Sequence, residues 1–368
     1  MDKTGNMLEI FKEWRNRHFS DPQRVILGIM LLVGAALIYF LGNLLAPVFI
    51  AIIIAYLLEG LVSLLLRFHM PRLVAVSIVF TIFMISMAVM TLWLMPLAIK
   101  QVSQLVQQLP SMLATIQNQL IQLPTSYPDL ISEGQVRQII EFLNTSITTF
   151  GRRVLTLSLA SVLGLINLVV YLVLVPLMVF FLLKDKHIIL SWAQRFLPDN
   201  MDLTESVWQE ANVQVTNYIR GKGWELLIIW GVSYVVFKAL GLQFSLLISL
   251  FVGLSVIIPY IGVTVMGFVM ALVAFIQWGW SSEFASAMVA YLIIQIIDGN
   301  LLAPLLLSGV VNLHPVAIIV AVLLFGGLWG IWGLFFAIPL ATLVNAVIKA
   351  WIARIDNRPE SPQNQPDG

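Results

Sequence analysis

The residue with the clearest chemical potential is Asp298, because it lies inside a long apolar run, about 283–307. A charge at the centre of a membrane costs at least about 2.5–3.5 kcal/mol, so an intramembrane carboxylate usually faces protein or a water-filled path. The polar side chains around it are Gln295, Asn300, Asn312 and His314. This set predicts either a contact site for a polar solute or a proton, or an interhelical hydrogen-bond cluster in which Asp298 caps a broken helix.

Glu59 is a second carboxylate inside an apolar run, about 46–66. It is a further candidate for a position on a transport path, unless it lies near enough to the membrane interface to be hydrated. Glu225 and Lys238 lie near the ends of another run, about 224–240. We expect these two side chains to snorkel toward the interface.

Prolines and glycines in the C-terminal half predict interruptions of its helices. Proline removes a backbone donor and kinks or breaks a helix, and non-helical backbone at membrane depth survives only where it is buried or lines a cavity. The predicted helix breaks and gate tips are Pro259, Tyr260, Gly262, Pro304, Pro315, Gly326, Gly327, Gly330 and Pro339. Some of these prolines could be ordinary loop residues, Pro315 above all, and G-x-x-x-G alternatively indicates close helix packing.

Catalytic and cofactor motifs are absent from the sequence. There is no G-x-x-x-x-G-K-[ST] loop for ATP, no H-E-x-x-H and no G-x-S-x-G. Cysteine is absent and the four histidines are scattered. We therefore predict no catalytic residue, no metal site and no cofactor, and an enzyme is the least supported class.

Composition fixes the broad class of protein. Of the 368 residues, 60% are hydrophobic and only 11% are charged, whereas a soluble domain carries about 25% charged residues. The net charge of +1 provides no strong field for nucleic acid. These values exclude a soluble protein, a disordered chain and a nucleic-acid binder, and they predict a polytopic protein of the lipid bilayer.

The apolar runs predict an all-α helical bundle of about eight transmembrane helices, since a helix needs about 20 apolar residues to cross a bilayer. In order, we expect a cytoplasmic N-terminal segment (1–24), three transmembrane helices (25–99), an extracytoplasmic, periplasmic helical segment (100–152), a long transmembrane helix (153–183), a cytoplasmic helical segment (184–223), a C-terminal transmembrane region (224–352) and a disordered cytoplasmic tail (353–368). The placement of Lys and Arg puts both termini in the cytoplasm.

The segment 100–152 carries apolar residues at three- and four-residue steps, which is typical of an amphipathic helix. They are Val102, Leu105, Leu109, Leu113, Ile116 and Leu120, and a second helix is predicted at about 135–149. Either this helical hairpin covers its own apolar stripe, or the stripe is a contact surface for another subunit.

The C-terminal region repeats one shape, a span followed by two short apolar arms. The first copy is about 224–278 and the second about 283–351. Because each unit crosses an odd number of times, the copies would point in opposite directions. Inverted repeats with re-entrant hairpins and interrupted helices are the layout of many secondary transporters, although a chance similarity of hydropathy is the alternative.

Several segments together resemble the autoinducer-2 exporter family of bacterial membrane proteins, most closely its PerM-type permeases. They include Ala55-Tyr-Leu-Leu-Glu59, Asn217-Tyr-Ile-Arg-Gly-Lys222, Ile258-Pro-Tyr-Ile-Gly262, Asp298-Gly-Asn-Leu-Leu-Ala-Pro304, Val311-Asn-Leu-His-Pro315 and Gly326-Gly-Leu-Trp-Gly330. The resemblance implies an inner-membrane transporter of about eight helices that forms a homo-oligomer. It also implies export of autoinducer-2 in one branch and sodium/proton antiport in other members.

We therefore predict a secondary transporter of a small polar solute, with an autoinducer-2-like signal as one candidate. Without an ATP motif, active transport must use an ion gradient. Asp298 would contribute a charge or proton site, with Asn300, Asn312 and His314 as polar contacts. A sodium or lithium/proton antiporter and a non-transporting membrane scaffold are the alternatives.

Overall fold

The protein is described from a computed structural model, which covers residues 36, 40, 44–126, 132–159, 161–195, 202–307 and 313–356. All regular structure in these ranges is helical. The elements are α1 (Ala46–Leu66), α2 (Arg72–Val89), a π-helical segment π1 (Met90–Leu94), α3 (Met95–Ser126), α4 (Glu133–Leu159), α5 (Ser161–Lys184), α6 (Lys186–Gln194), α7 (Asp202–Ala239), α8 (Ser245–Ser255), α9 (Ile261–Trp278), α10 (Ser282–Ile297), a second π-helical segment π2 (Asp298–Leu302), α11 (Ala303–Leu306) and α12 (Pro315–Asp356).

Five of the described helical stretches are long and apolar enough to cross a membrane. They are Ala46–Leu66, Arg72–Gln122, Ile261–Trp278, Ser282–Leu306 and Pro315–Asn345. Their outward faces carry many exposed large apolar side chains, such as Phe268 and Leu305, which suits contact with lipid. The all-α polytopic membrane fold is thereby confirmed, while the count of about eight transmembrane helices stays a prediction. The predicted span at about 25–44 lies almost wholly outside the described residues.

Helices continue through several predicted segment boundaries. The boundary at 99/100 lies inside α3, the one at 152/153 inside α4, and the one at 223/224 inside α7. A change of polarity does not end a helix, because each backbone N–H still has its carbonyl partner four residues earlier. These boundaries therefore stay predictions about where the membrane ends along a continuous helix.

The two π-helical segments have the same local cause. Each is followed by a proline two residues later, Pro96 after π1 and Pro304 after π2. Proline has no N–H and its ring clashes with the carbonyl four residues back. That carbonyl belongs to the third residue of each segment, Leu92 or Asn300. The predicted break at Pro304 is thus a local widening of the helix rather than an interruption.

The chain divides into two compact units. The larger contains residues 50–184 and 221–306, and the smaller contains residues 1–49, 185–220 and 307–368. In the larger unit, one apolar cluster joins α1, α2 and α5 around Val76 and Val179, and a second joins α7 to α10 around Phe237 and Met270. In the smaller unit, the Tyr218 hydroxyl donates to the Phe335 carbonyl at 3.2 Å.

The amphipathic stripe of α3 is partly covered within the chain. Val102, Leu105 and Leu109 pack against the second apolar cluster, and Met112 belongs to it. α3 also caps α8, because the side-chain oxygen of Gln101 accepts a hydrogen bond from the Leu247 amide in the first turn of α8 at 2.9 Å. One prediction is that the hairpin covers its own stripe, whereas residues 102–112 are covered by the cluster of α7, α8, α9 and α10. A subunit contact along the rest of α3 stays a prediction.

Two helical hairpins are present where the sequence predicts breaks. The α8–α9 hairpin turns at Tyr260, with φ 62°. The second turns within α12 at Gly330, with φ 58° and ψ −133°. In each, a glycine lets the two arms touch: a Cβ at Gly262 or Gly333 would overlap the carbonyl oxygen of Ser255 or Phe325, respectively.

The predicted break at Pro339 is wrong, whereas Pro315 lies where a helix begins. Pro339 lies in the second arm of α12, where Gly330 is the non-helical residue, so the helix continues through the proline. The hydroxyl of Thr342 donates to the Pro339 carbonyl at 2.8 Å. Pro315 is the first residue of α12, a position that proline favours because its missing N–H would have no partner there.

A buried charged cluster as the candidate functional site

Lys222 and Glu225 form a buried ion pair on α7. They are three residues apart, so their side chains leave the same face of the helix. The Lys222 Nζ lies 2.7 Å from Glu225 Oε1, and the two residues are only 7% and 1% exposed. The expectation that Glu225 snorkels is therefore wrong, because the neighbouring helices cover this face of α7.

Tight packing around α7 explains this burial. A Cβ at Gly223 would overlap the side chain of Leu57 on α1. On α8, a Cβ at Gly253 would lie 2.8 Å from the Trp230 Cβ and 3.0 Å from the Leu226 carbonyl oxygen. The two glycines let α1 and α8 approach the backbone of α7, and this close approach accounts for the burial of the ion pair.

Lys222 also contacts the end of α8. Its Nζ donates to the carbonyl oxygen of Val256 at 2.9 Å, and Val256 is the C-cap residue of α8. The carbonyl end of a helix carries partial negative charge, so an ammonium group is stabilised there. Lys222 thus joins α7 to the turn of the α8–α9 hairpin.

Asp298 is the second acidic residue of the cluster. It is the first residue of π2 and only 6% exposed, and the charges of Glu225 and Lys222 both act on its carboxyl group. π-helical segments inside helices are frequent at functional sites. The buried position that the sequence predicts for Asp298 agrees with this arrangement.

Several polar atoms of this region have no hydrogen-bond partner within the described part of the chain. They are Asp298 Oδ1, Glu225 Oε2 and both polar atoms of the Gln295 side chain. Leaving a buried polar atom unsatisfied costs about 1–3 kcal/mol, and more for a charged group. These unpartnered atoms make the region a candidate site for a proton, an ion or a polar solute.

The charges of the cluster define what it can bind. Two carboxyl groups and one ammonium carry a net charge of −1 when all are ionised, and a proton or a monovalent cation would neutralise that charge. The Gln295 amide could supply one further donor or acceptor. Across the described ranges, no three His, Asp or Glu side chains lie close enough together to hold a metal ion.

Glu59 takes part in a separate arrangement with Arg72 and Leu183. Arg72 on α2 lies 3.1 Å from Glu59 Oε2, and the same guanidinium donates to the carbonyl oxygen of Leu183 on α5 at 2.8 Å. The pair therefore ties three helices together. Its placement supports a structural role, and the predicted place of Glu59 on a transport path stays a prediction.

Comparison with known proteins decides the family. The family described as AI-2E family transporter matches residues 28–353, which is most of the chain. This chain belongs to the AI-2E transporter family. It is 46% identical over 345 residues to the protein of Escherichia coli (strain K12) named "Putative permease PerM", covering 94% of this chain and 98% of that protein.

A more distant relative in the same family carries a substrate in its name. The chain is 22% identical over 327 residues to the AI-2 transport protein TqsA of Escherichia coli (strain K12), covering 88% of this chain and 91% of TqsA. The family, the relatives and the membrane-spanning helices together identify a membrane transporter. The resemblance inferred from the sequence segments is confirmed.

Two of the remaining predicted contact residues of this AI-2E family member have described hydrogen bonds. Asn300 is exposed and donates to the Ile296 carbonyl of its own helix at 2.9 Å, so it faces away from the buried Asp298. His314 precedes α12, where its Nδ1 accepts from the Val316 N–H at 3.3 Å. Asn312 lies outside the described residues. Their predicted roles stay predictions.

Sequence reasoning did not single out Lys222, and it placed Glu225 near the end of a span without predicting its buried ion pair with Lys222. The available signal was the pair of opposite charges three residues apart, followed directly by the apolar run 226–237. An opposite pair at the start of a span is compatible with snorkelling as well as with burial. Only the close approach of α1 and α8 to α7 distinguishes the two.

Proposed function

We propose that this AI-2E family member is a secondary transporter that uses an ion gradient, with Lys222, Glu225 and Asp298 as its ion or solute site. One observation carries the proposal: the buried Lys222–Glu225 ion pair acts electrostatically on the buried Asp298 carboxyl group, and each of the two carboxyl groups retains an unpaired oxygen, Glu225 Oε2 and Asp298 Oδ1. Ionisable residues buried in membrane proteins commonly mark ion or proton pathways. The absence of an ATP loop from the sequence supports a gradient as the source of energy.

The solute would be small and polar. The cluster presents carboxylate oxygens, an ammonium and an amide, which together can hydrogen-bond a polyhydroxylated molecule. The name of TqsA, an AI-2 transport protein, makes an autoinducer-2-like signal the first solute to test. The side chains of Asp298 and Gln295 would contact it, and the α8–α9 turn would close over it.

The decisive experiment compares two carboxylate-to-amide changes on one helical stretch. Asp298→Asn alters the buried carboxyl group, whereas Glu283→Gln alters an exposed one in the first turn of α10. Both proteins are reconstituted in proteoliposomes, and efflux of labelled autoinducer-2 and of protons is measured. We expect Asp298→Asn to lower coupled flux at least about tenfold, since one lost charged hydrogen bond has that weight, and Glu283→Gln to match the unmodified protein.

Equal flux in Asp298→Asn and the unmodified protein would refute the role of Asp298. Loss of flux in both variants would refute the assignment of the site to the buried cluster. The variants are compared only where both remain monodisperse in detergent, because a folding defect also lowers flux.

Exchange of sodium or lithium for protons is the second candidate. The excess negative charge of the cluster favours it, because a monovalent cation and a proton would compete for the same carboxylate oxygens. Proteoliposomes with an internal pH dye distinguish the two. Proton flux that requires added sodium or lithium, with no organic solute present, supports exchange, and flux that requires the solute supports export.

A further inference from the structure

The turn of the α8–α9 hairpin depends on α7 for one hydrogen bond. The amides of Val256, Ile257 and Ile258 bond to the carbonyls of residues 253, 254 and 255, at 3.1–3.4 Å. Pro259 has no N–H to offer. The Val256 carbonyl is instead bound by the Lys222 ammonium, so the last carbonyl of α8 is satisfied from a neighbouring helix.

The two arms of the hairpin are held to each other by close contact and hydrogen bonds. The backbones of its two arms touch where Gly262 faces Ser255, and the amide of Gly262 bonds to the Ile258 carbonyl at 3.0 Å. The Tyr291 hydroxyl on α10 binds the Val263 carbonyl at 2.6 Å. Movement of the turn away from α7 would therefore carry both arms together, and the contact of Lys222 with Val256 is a polar link that such a movement must break.

Lys222 connects this link to the acidic groups. One donor of its ammonium is used by Glu225 Oε1 and another by the Val256 carbonyl. The Glu225 carboxylate holds the ammonium in place, since hydrogen bonds between charged groups are about twice as strong as neutral ones. A proton or cation on Glu225 or Asp298 would weaken that hold, and the bond to the hairpin turn would weaken with it.

We propose that Lys222 is a positioning residue that latches the α8–α9 turn to α7 and releases it when the neighbouring carboxyl groups are neutralised. The latch explains how binding at Glu225 and Asp298 would be converted into movement of the hairpin. Its coupling to transport rests on the proposed function. The contact itself and its effect on the turn do not, so they can be tested without any solute.

The test uses the absence of cysteine from the natural sequence. Ile261→Cys places a single thiol at the turn, where the native side chain is 46% exposed. Ser282→Cys places the control thiol in the first turn of α10. This position follows the C-terminal end of α9, whereas Ile261 is the first residue of α9. Each is combined with Lys222→Met or Lys222→Arg, and the rate of labelling by a charged maleimide is measured in membrane vesicles.

We expect Lys222→Met to raise the labelling rate at position 261 about tenfold, as the loss of one hydrogen bond to a charged group predicts. Labelling at position 282 should stay unchanged. Lys222→Arg keeps the charge and should fall between the natural residue and methionine. Glu225→Gln, which neutralises the carboxylate and leaves Lys222 in place, should also accelerate labelling at position 261.

Equal labelling at position 261 in Lys222→Met and the unmodified background would overturn the latch. Faster labelling in Lys222→Met but not in Glu225→Gln would overturn the coupling to the carboxyl groups. If Lys222→Met does not fold, Lys222→Met with Glu225→Met replaces it, because an apolar pair avoids an unpaired buried charge. Loss of flux in Asp298→Asn with no change at position 261 in any latch variant would overturn the latch alone, leaving the proposed function intact.

Discussion

Gly262 offers the sharpest test of how the α8–α9 hairpin is built. In Gly262→Ala, the added Cβ would overlap the Ser255 carbonyl oxygen and would lie 2.7 Å from the Ser255 carbonyl carbon. Non-bonded carbon atoms normally lie about 3.5–4.0 Å apart, so the two arms would have to separate by roughly 1 Å. The obstacle is backbone, which cannot rotate aside as a flexible side chain can.

The expected cost follows from two opposing effects. Overpacking a closely packed contact typically costs about 1–3 kcal/mol. Replacing glycine by alanine within a helix stabilises by about 0.5–1 kcal/mol when there is room for the methyl group. For Gly262→Ala we therefore expect a net destabilisation of about 1–2 kcal/mol, together with a weaker contact between the turn and α7.

Gly231→Ala is the matched control, because Gly231 lies inside α7 and no heavy atom lies within 4 Å of the added Cβ. The assay is thermal unfolding of the purified protein in detergent, followed by tryptophan fluorescence. We expect a lower Tm for Gly262→Ala and an unchanged or higher Tm for Gly231→Ala. A Gly262→Ala protein that unfolds at or above the temperature of the unmodified protein would refute the backbone contact.

Three further substitutions test other contacts. Arg72→Ala removes the guanidinium that lies 3.1 Å from Glu59 and donates to the Leu183 carbonyl and should cost about 1–3 kcal/mol; an unchanged Tm would contradict the three-helix tie. Gln101→Ala removes the acceptor 2.9 Å from the Leu247 amide and should destabilise α8 by about 1 kcal/mol. We expect faster hydrogen exchange of the amides in α8 only. Tyr291→Phe removes the 2.6 Å hydrogen bond to the Val263 carbonyl and should lower the free energy of unfolding by about 1 kcal/mol. Chemical denaturation measures this change, and a midpoint equal to that of the unmodified protein would contradict it.

The turns of both hairpins were predictable from sequence because their cause is local. Proline cannot donate, and glycine adopts positive φ without strain, so Pro259 and Gly330 each disfavour a continuous helix. The same local rule fails at Pro339, where the helix continues. A proline ends a helix only when the surrounding packing does not hold the remaining hydrogen bonds in place.

The charged cluster shows the limit of pattern reasoning more clearly. Asp298 and Asn300 are two residues apart in one apolar run, and the sequence treats both as polar contacts. In the structure Asp298 is buried, while Asn300 is exposed and bonds to its own helix. Two positions along a helix point about 200° apart, so the side that meets a neighbouring helix decides which residue enters the site.

The sequence by itself determined the class of protein, its resemblance to the family, the positions of both hairpin turns and the place of one carboxylate inside an apolar run. The class follows from composition, the resemblance from several segments together, and the turns and the carboxylate from the chemistry of single residues. Only the tertiary structure decided that Lys222 and Glu225 are buried together and that Lys222 binds the α8 end. Burial of an ion pair depends on which helices cover it, and that depends on contacts between residues far apart in the chain.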